Sequence, residues 1–126
     1  MNIAIAQIKP LKGDISANIE KHIKFIELAV SLHANAVFFP ELSLTAYEPE
    51  LAKALATHKD DNRFNVFQEI SDLKKITIGV GSPLKTESRI QISMIIFNPI
   101  KKVFLILNSY FTKTNCRILK MEKARK

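Results

Sequence analysis

Residues 35–47 read Asn-Ala-Val-Phe-Phe-Pro-Glu-Leu-Ser-Leu-Thr-Ala-Tyr, and the other predicted elements are arranged around this stretch. The apolar run from Ala36 to Phe39 is too short for a helix and predicts a buried strand, because Val and Phe suit a pleated surface. Pro40 ends the strand, since proline has no N–H to donate to the ladder. Glu41 therefore follows the carboxyl end of a strand. Ligands of open α/β sheets bind at that end, so we predict that Glu41 can take or give a proton there.

A glutamate in this position also has ordinary structural roles, as a solvated loop residue or a helix cap, and the rest of the sequence bears on the choice. The further residues in question are Ala6-Gln7, Gly13-Asp14, Asn18 and Tyr47-Glu48-Pro49. Together with Phe-Pro-Glu-Leu-Ser-Leu-Thr at 39–45, they resemble the nitrilase, or carbon-nitrogen hydrolase, superfamily over about the first hundred residues. Ala46 departs from the pattern, because the family usually has glycine there. If the position needs a positive φ, alanine strains the loop beside Glu41.

The remaining elements follow from apolar periodicity and turn residues. Residues 2–8 predict a strand buried on both faces. Ser16 is the expected N-cap of a helix that ends near Ala34, with an apolar stripe at Ile19, Ile23, Ile26 and Val30. His22 and His33 are expected on its polar face and at its C-terminus, and neither has a neighbouring His or Cys to complete a metal site.

The second half of the pattern predicts two helices and three strands. One helix is expected over residues 49–58, and a second carries an apolar stripe capped by Asp60-Asp61-Asn62. His58, Asp60 and Asp61 are interpreted as a solvated loop rather than a metal site. Strands are expected at 75–82, 90–97 and 103–107, with Gly79 and Gly81 marking a bulge or a close backbone approach. The resemblance implies an α/β fold, in which this chain is a truncated, N-terminal portion of the four-layer α-β-β-α sandwich of the superfamily.

The distribution of charge and the lengths of the apolar runs limit the classes of partner that the chain can have. Residues 1–100 contain eleven Lys plus Arg and eleven Asp plus Glu, whereas residues 101–126 contain eight basic residues and one acidic residue. The whole net charge of +7 therefore belongs to the tail, and nucleic acid is not an expected partner of the body. No apolar run approaches the roughly 20 residues that span a bilayer, and no signal peptide is visible. We expect a cytoplasmic protein with no membrane association, no metal and no organic cofactor.

The resemblance implies a Glu-Lys-Cys triad, of which the sequence supplies only Glu41 in the expected setting. The family's lysine stands in a Tyr-x-Lys-x-x-Leu context after the strand at 103–107, and its cysteine lies a few dozen residues later. Cys116 is the only thiol, and its context Thr114-Asn115-Cys116-Arg117 does not match the family's nucleophile. Lys113 matches the family's lysine little better. We therefore expect a carbon-nitrogen hydrolase fragment, acting in its intact form on a small amide or nitrile and inactive alone.

A frameshift would explain the tail. When the codons from Leu105 are translated from their third base, their degeneracy permits a run that begins Tyr-Ser-Lys-Gln-Leu-Leu. We predict residues 1–104 as the N-terminal part of a carbon-nitrogen hydrolase domain and residues 105–126 as a basic tail that arose by frameshift. The coding DNA tests this, since a one-base change there must restore a long frame with a Tyr-x-Lys motif and a later Cys.

Two other functions stay open beside hydrolase descent. The chain could be a non-catalytic interaction module that pairs through its sheet edge or its basic tail, or a pseudogene product without function. A half-sandwich exposes apolar faces, so we predict low stability or association into homo-oligomers through the exposed sheet edge.

Overall fold

Within the residues that the structure describes, the fold is a five-stranded mixed sheet with helices against one face. The computed structural model describes residues 1–46, 54–58, 60–85 and 90–100, and the backbone of 102–110. The elements in chain order are β1 (Ile3–Ile5), α1 (Ile15–Ser31), β2 (Ala36–Phe38), a 3-10 turn (Asn62–Phe64), α2 (Asn65–Lys74), β3 (Thr77–Lys85), β4 (Ile90–Asn98) and β5 (Lys102–Tyr110).

The strand order in the sheet is the same as the order along the chain, β1-β2-β3-β4-β5. β1, β2 and β3 run parallel, whereas β3, β4 and β5 form an antiparallel meander. The predicted α/β class, the helix after the first strand and the closing meander are thus confirmed. β5 is longer than predicted, and its pairing with β4 continues from Phe104 to Leu105 across the proposed domain boundary. That boundary stays a prediction.

Alternation along β3 and β4 sorts their side chains between two faces. Ile78 pairs with Phe97 and Val80 with Ile95, and all four are buried in the main core cluster. Phe67 of α2 contacts Phe97 with ring centroids 5.6 Å apart, so this face of the sheet lies under the helices. Gly79 and Gly81, between these residues along β3, point their missing side chains to the opposite face.

The start of α1 corrects one prediction. Asp14, not Ser16, caps the helix, since its carboxylate accepts a hydrogen bond from the N–H of Ala17 at 3.0 Å. The predicted apolar stripe is confirmed, with Ile19 and Ile26 buried and Ile23 and Val30 partly buried against the core. The helix ends at Ser31, before the predicted Ala34, because His33 takes a left-handed conformation with φ 66°.

The first strand is shorter and less enclosed than predicted. β1 covers Ile3–Ile5 at the edge of the sheet, and Ile5 keeps 46% of its surface exposed. Ala4, on the other face, packs against the core cluster. The expectation that both faces are buried is therefore wrong for Ile5 in the part of the chain that the structure describes.

The connection between β2 and β3 is described only in part. Of the helix predicted over 49–58, residues 49–53 lie outside the described residues, and Thr57 already forms an isolated bridge with Leu84. Asp61 caps the 3-10 turn rather than α2, as its carboxylate accepts the N–H of Arg63 at 2.9 Å. The predicted cap of the helix itself is wrong, because α2 follows Phe64 and has no side-chain cap. No described helix is long and apolar enough to cross a bilayer.

Candidate functional site

Glu41 lies on a turn that interrupts the pairing of β2 with β3. The N–H of Phe39 still bonds the carbonyl of Gly79 at 2.9 Å, and pairing resumes where the N–H of Leu44 bonds the carbonyl of Gly81 at 3.0 Å. Between these two points the chain leaves the sheet in a turn closed by the N–H of Ser43 and the carbonyl of Pro40 at 3.1 Å. Glu41 is half-buried on this turn, at the carboxyl end of the parallel strands.

The turn and the loop after it contain two residues in the left-handed region. Leu42 has φ 55° and is 1% exposed, and Ala46 has φ 75°. The condition stated for Ala46, a positive φ, is met, so its methyl group strains the loop. The conformation of Leu42 was not predicted. A buried leucine in this region is held there by its surroundings, and such strain often accompanies functional sites.

Gly81 of β3 lies against the backbone of this turn. A Cβ at this position would lie 2.5 Å from the backbone nitrogen of Leu42, 2.5 Å from the carbonyl oxygen of Pro40 and 3.0 Å from the carbonyl carbon of Glu41. The backbone that carries Glu41 therefore rests directly on Gly81. This confirms the predicted close backbone approach along β3.

A buried polar chain links this turn to α1. The N–H of Gly81 donates to the Ser43 hydroxyl oxygen at 3.0 Å, and that hydroxyl lies 2.8 Å from Nε2 of His22. Nδ1 of His22 lies 2.6 Å from the carbonyl oxygen of Asn18. A carbonyl only accepts, so Nδ1 carries the ring proton and Nε2 accepts from Ser43.

The position of His22 corrects the prediction of a polar-face residue. Its side chain is fully buried and packs on Phe39, with ring centroids 4.2 Å apart. Burial lowers its pKa from 6.5 to about 4, while the hydrogen bond to Asn18 acts in the opposite direction, so the ring is neutral near pH 7. The sequence did contain a signal, because His22 falls between Ile19 and Ile26 on the apolar stripe.

Asn18 joins the loop before α1 to the loop that carries Glu41. Its side-chain oxygen accepts the N–H of Leu11 at 2.6 Å, and its side-chain nitrogen donates to the carbonyls of Leu11 at 2.7 Å and Leu44 at 2.9 Å. The N–H of Gly13 also donates to the carbonyl of Thr45 at 3.1 Å. Asn18 and Gly13, which both carried the resemblance, thus contact the loop formed by residues 41–46.

Five other residues that the sequence analysis singled out fall on parts of the chain that the structure does not describe. Tyr47, Glu48 and Pro49 lie outside the described residues, as do Lys113 and Cys116.

Asp61, one of the acidic residues after Thr57, is held by local hydrogen bonds and an ion pair. The Thr57 hydroxyl donates to Asp61 at 2.6 Å, and Asp61 forms an ion pair with Arg63 at 2.8 Å. Hydrogen bonding from Arg63 is the main cause that holds the pKa of Asp61 well below its usual range. Within the described ranges, no three His, Cys, Asp or Glu side chains are grouped as metal ligands would be.

Comparison with known proteins places this geometry in a family. The family model described as carbon-nitrogen hydrolase matches residues 2–117. A curated relative, glutamine-dependent NAD(+) synthetase of Acinetobacter baylyi (strain ATCC 33305 / BD413 / ADP1), is 29% identical over 85 residues, which cover 68% of this chain and 16% of that protein.

Solved structures show the same fold. An N-terminal amidase superposes with a TM-score of 0.74 at 19% identity, covering 90% of this chain and 29% of the amidase. An amidase from Nesterenkonia sp. gives a TM-score of 0.70 at 19% identity, covering 82% of this chain and 40% of that one. The chain thus spans less than a third of the curated relative and of the N-terminal amidase. The family match covers most of its length, and the chain belongs to the carbon-nitrogen hydrolase family.

Proposed function

We propose that Glu41 is the proton acceptor of a carbon-nitrogen hydrolase site that acts on non-peptide amides or nitriles. The observation that carries this proposal is the placement of Glu41 on a strained turn at the carboxyl end of β2, directly on the backbone of Gly81. A turn whose backbone is held in this way lets the Glu41 side chain accept a proton without rearrangement of the backbone.

The chemistry needs two further groups. In the family, the glutamate takes the proton of a cysteine thiol, the thiolate attacks the amide or nitrile carbon, and a lysine stabilises the charge of the tetrahedral intermediate. Water then hydrolyses the thioester. Neither Lys113 nor Cys116 stands in the family's sequence context, and we propose that the chain alone is inactive because Glu41 lacks these companions.

Turnover by the full chain tests the inactivity. We expect no hydrolysis of simple aliphatic amides or nitriles above that of Glu41→Gln. Turnover that both Glu41→Gln and Cys116→Ser abolish would contradict the proposed inactivity, and it would identify Cys116 as the nucleophile.

A transplant tests the role of Glu41 separately. Residues 36–46 would replace the equivalent stretch of an active family member, and we expect the chimera to keep activity and to lose at least about 100-fold in kcat with Glu41→Gln. Loss of activity in Glu41→Gln with normal substrate binding supports proton transfer. A chimera that is equally active with glutamine rules out the assignment.

The sheet edge supports a second candidate, an interaction module. Among the described strands β5 is the last in the sheet order, and Ile5 on the opposite edge strand is exposed. An unpaired strand edge can extend a sheet into a partner. Binding to an intact family member that survives Glu41→Gln and is lost on deleting residues 108–126, without turnover, would favour this function over catalysis.

A further inference from the structure

The interruption of β2 leaves a buried donor on β3 that the sheet does not satisfy. In a continuous parallel ladder, the N–H of Gly81 would bond a carbonyl of the neighbouring strand. Because the chain turns away at Pro40, the oxygen of the Ser43 side chain accepts this N–H instead, at 3.0 Å. Ser43 therefore replaces the missing strand carbonyl at the base of the turn that carries Glu41.

The hydroxyl can do this in only one orientation. Its oxygen accepts from Gly81, and its proton points to Nε2 of His22 at 2.8 Å. His22 is held in the required tautomer by the carbonyl of Asn18. Each proton in this series of hydrogen bonds, from the Gly81 N–H to the Asn18 carbonyl, thus has a single acceptor.

The pair is not itself a nucleophile and base. A serine hydroxyl next to a histidine is the geometry of an activated nucleophile, but Ser43 and His22 are both fully buried. At this burial a substrate carbon has no access to the hydroxyl, and one of its two lone pairs already accepts the N–H of Gly81.

We infer that Ser43 and His22 are positioning residues that fix the direction of the Glu41 carboxylate. Ser43 ends the turn that begins at Pro40, and its side chain ties that end to β3 and, through His22, to α1. With the turn fixed at both ends, Glu41 keeps one orientation relative to the sheet. The inference rests on the proposed function, because positioning is useful to catalysis only if Glu41 reacts.

NMR relaxation of the 126-residue chain tests the inference. In the unaltered protein we expect rigid backbone amides at Glu41 and Leu42, with order parameters of about 0.85. In Ser43→Ala and His22→Phe we expect these two order parameters to fall below about 0.6, and Ser43→Thr, which keeps the hydroxyl, to restore them.

Ser71→Ala is the matched control. Ser71 is also fully buried and donates to a backbone carbonyl, that of Phe97 at 3.3 Å, but it lies on α2 away from the turn. Ser71→Ala also removes a fully buried serine hydroxyl, and we expect the amides of Glu41 and Leu42 to stay rigid in this variant. Loss of order in Ser71→Ala as well, or unchanged order in Ser43→Ala, would overturn the inference.

The unaltered chain supplies a second test if the variants do not fold. Imidazole nitrogen shifts should show His22 as the Nδ1–H tautomer, and the Gly81 amide should exchange with solvent as slowly as the amides paired within β3 and β4. A proton on Nε2, or fast exchange at Gly81, would refute the arrangement.

Catalysis separates this inference from the proposed function. In an active chimera that also takes the positions of Asn18, His22 and Gly81 from this chain, Ser43→Ala should lower kcat about tenfold or more and leave KM unchanged, because the base is misplaced rather than the substrate. Ordered amides that depend on Ser43, together with a Glu41 that is dispensable in the chimera, would reject only the function. If Glu41 is catalytic but Ser43→Ala changes neither its order parameter nor kcat, only the positioning role is rejected.

Discussion

A single methyl group at residue 81 would collide with the backbone that carries Glu41. We predict that Gly81→Ala lowers the free energy of unfolding by about 2 kcal/mol or more, because the atoms in its way belong to backbone and cannot rotate aside. Thermal or urea unfolding measures the loss, and amide shifts of Glu41 and Leu42 locate it.

Gly79→Ala is the comparison for that change. Its Cβ would meet the ring of Phe38 at 2.5 Å, a side chain rather than the turn. It should destabilise the protein without moving the amide signals of Glu41 and Leu42. Equal shifts of those signals in the two variants would show that Gly81 has no special relation to the turn.

Ala46 stores strain that glycine would release. Since its φ is 75°, we predict that Ala46→Gly raises the free energy of unfolding by about 0.5–1 kcal/mol. Ala29→Gly, in the buried interior of α1, should instead lower it by about 1 kcal/mol or more. Denaturant midpoints distinguish the two, and a destabilising Ala46→Gly would argue against strain at this position.

His22 predicts a dependence of stability on pH. Its pKa is about 4 in the folded protein and 6.5 in the unfolded chain, so the unfolded chain binds the proton more readily between these values. Its contribution is complete above pH 6.5 and is lost as the pH falls toward 4, a change of about 3 kcal/mol. Carboxylates titrate at the acid end, so the comparison is with His22→Phe, whose unfolding free energy should fall less over this range. Parallel curves for the two proteins would contradict the neutral buried ring.

At this scale the sequence predicted what local chemistry encodes. Pro40 indicated that Glu41 follows a strand, and the glycines of β3 indicated a close backbone approach. Alanine at position 46, where the family usually has glycine, indicated the strain. The roles of Ser43 and Leu42 could not be predicted, because each depends on a β3 backbone that lies far along the chain. His22 was misplaced because its chemical type was given more weight than its position on the apolar stripe.

Among the elements, α1 depends on Asp14 for its first turn. Asp14→Ala should cost about 1 kcal/mol, because the N–H of Ala17 loses its acceptor. Ser16→Ala should change stability by less than about 0.5 kcal/mol, since Ser16 is an exposed residue within the helix. Chemical denaturation of the two variants checks this, and the reverse order of costs would restore Ser16 as the cap.

The strands and helices were predictable because their apolar periods differ. The helix boundaries were less so, since Asp14 and Ser16 are both good capping types and only the backbone decides between them. β1 was predicted too long and too buried, because three isoleucines indicate burial without showing that the strand lies at an edge.

At the level of the whole molecule, we predict association. One face of the sheet is covered by helices, whereas Ile5 is exposed on the other, and β5 is the last of the described strands. Light scattering after size exclusion should show a mass that increases with concentration, and Ile5→Lys should reduce it. A monomer at all concentrations with a sharp, reversible melt would contradict this prediction.

The identity of strand order and chain order has a consequence for how the protein is made. A sheet in which every strand lies beside its immediate predecessor can be assembled as the chain leaves the ribosome, because each new segment finds its partner already synthesised. The parallel pairs wait for a crossover, whereas β4 and β5 can join as soon as they emerge. Translation from the N-terminus should therefore complete the Glu41 turn on β3 before β5 is added.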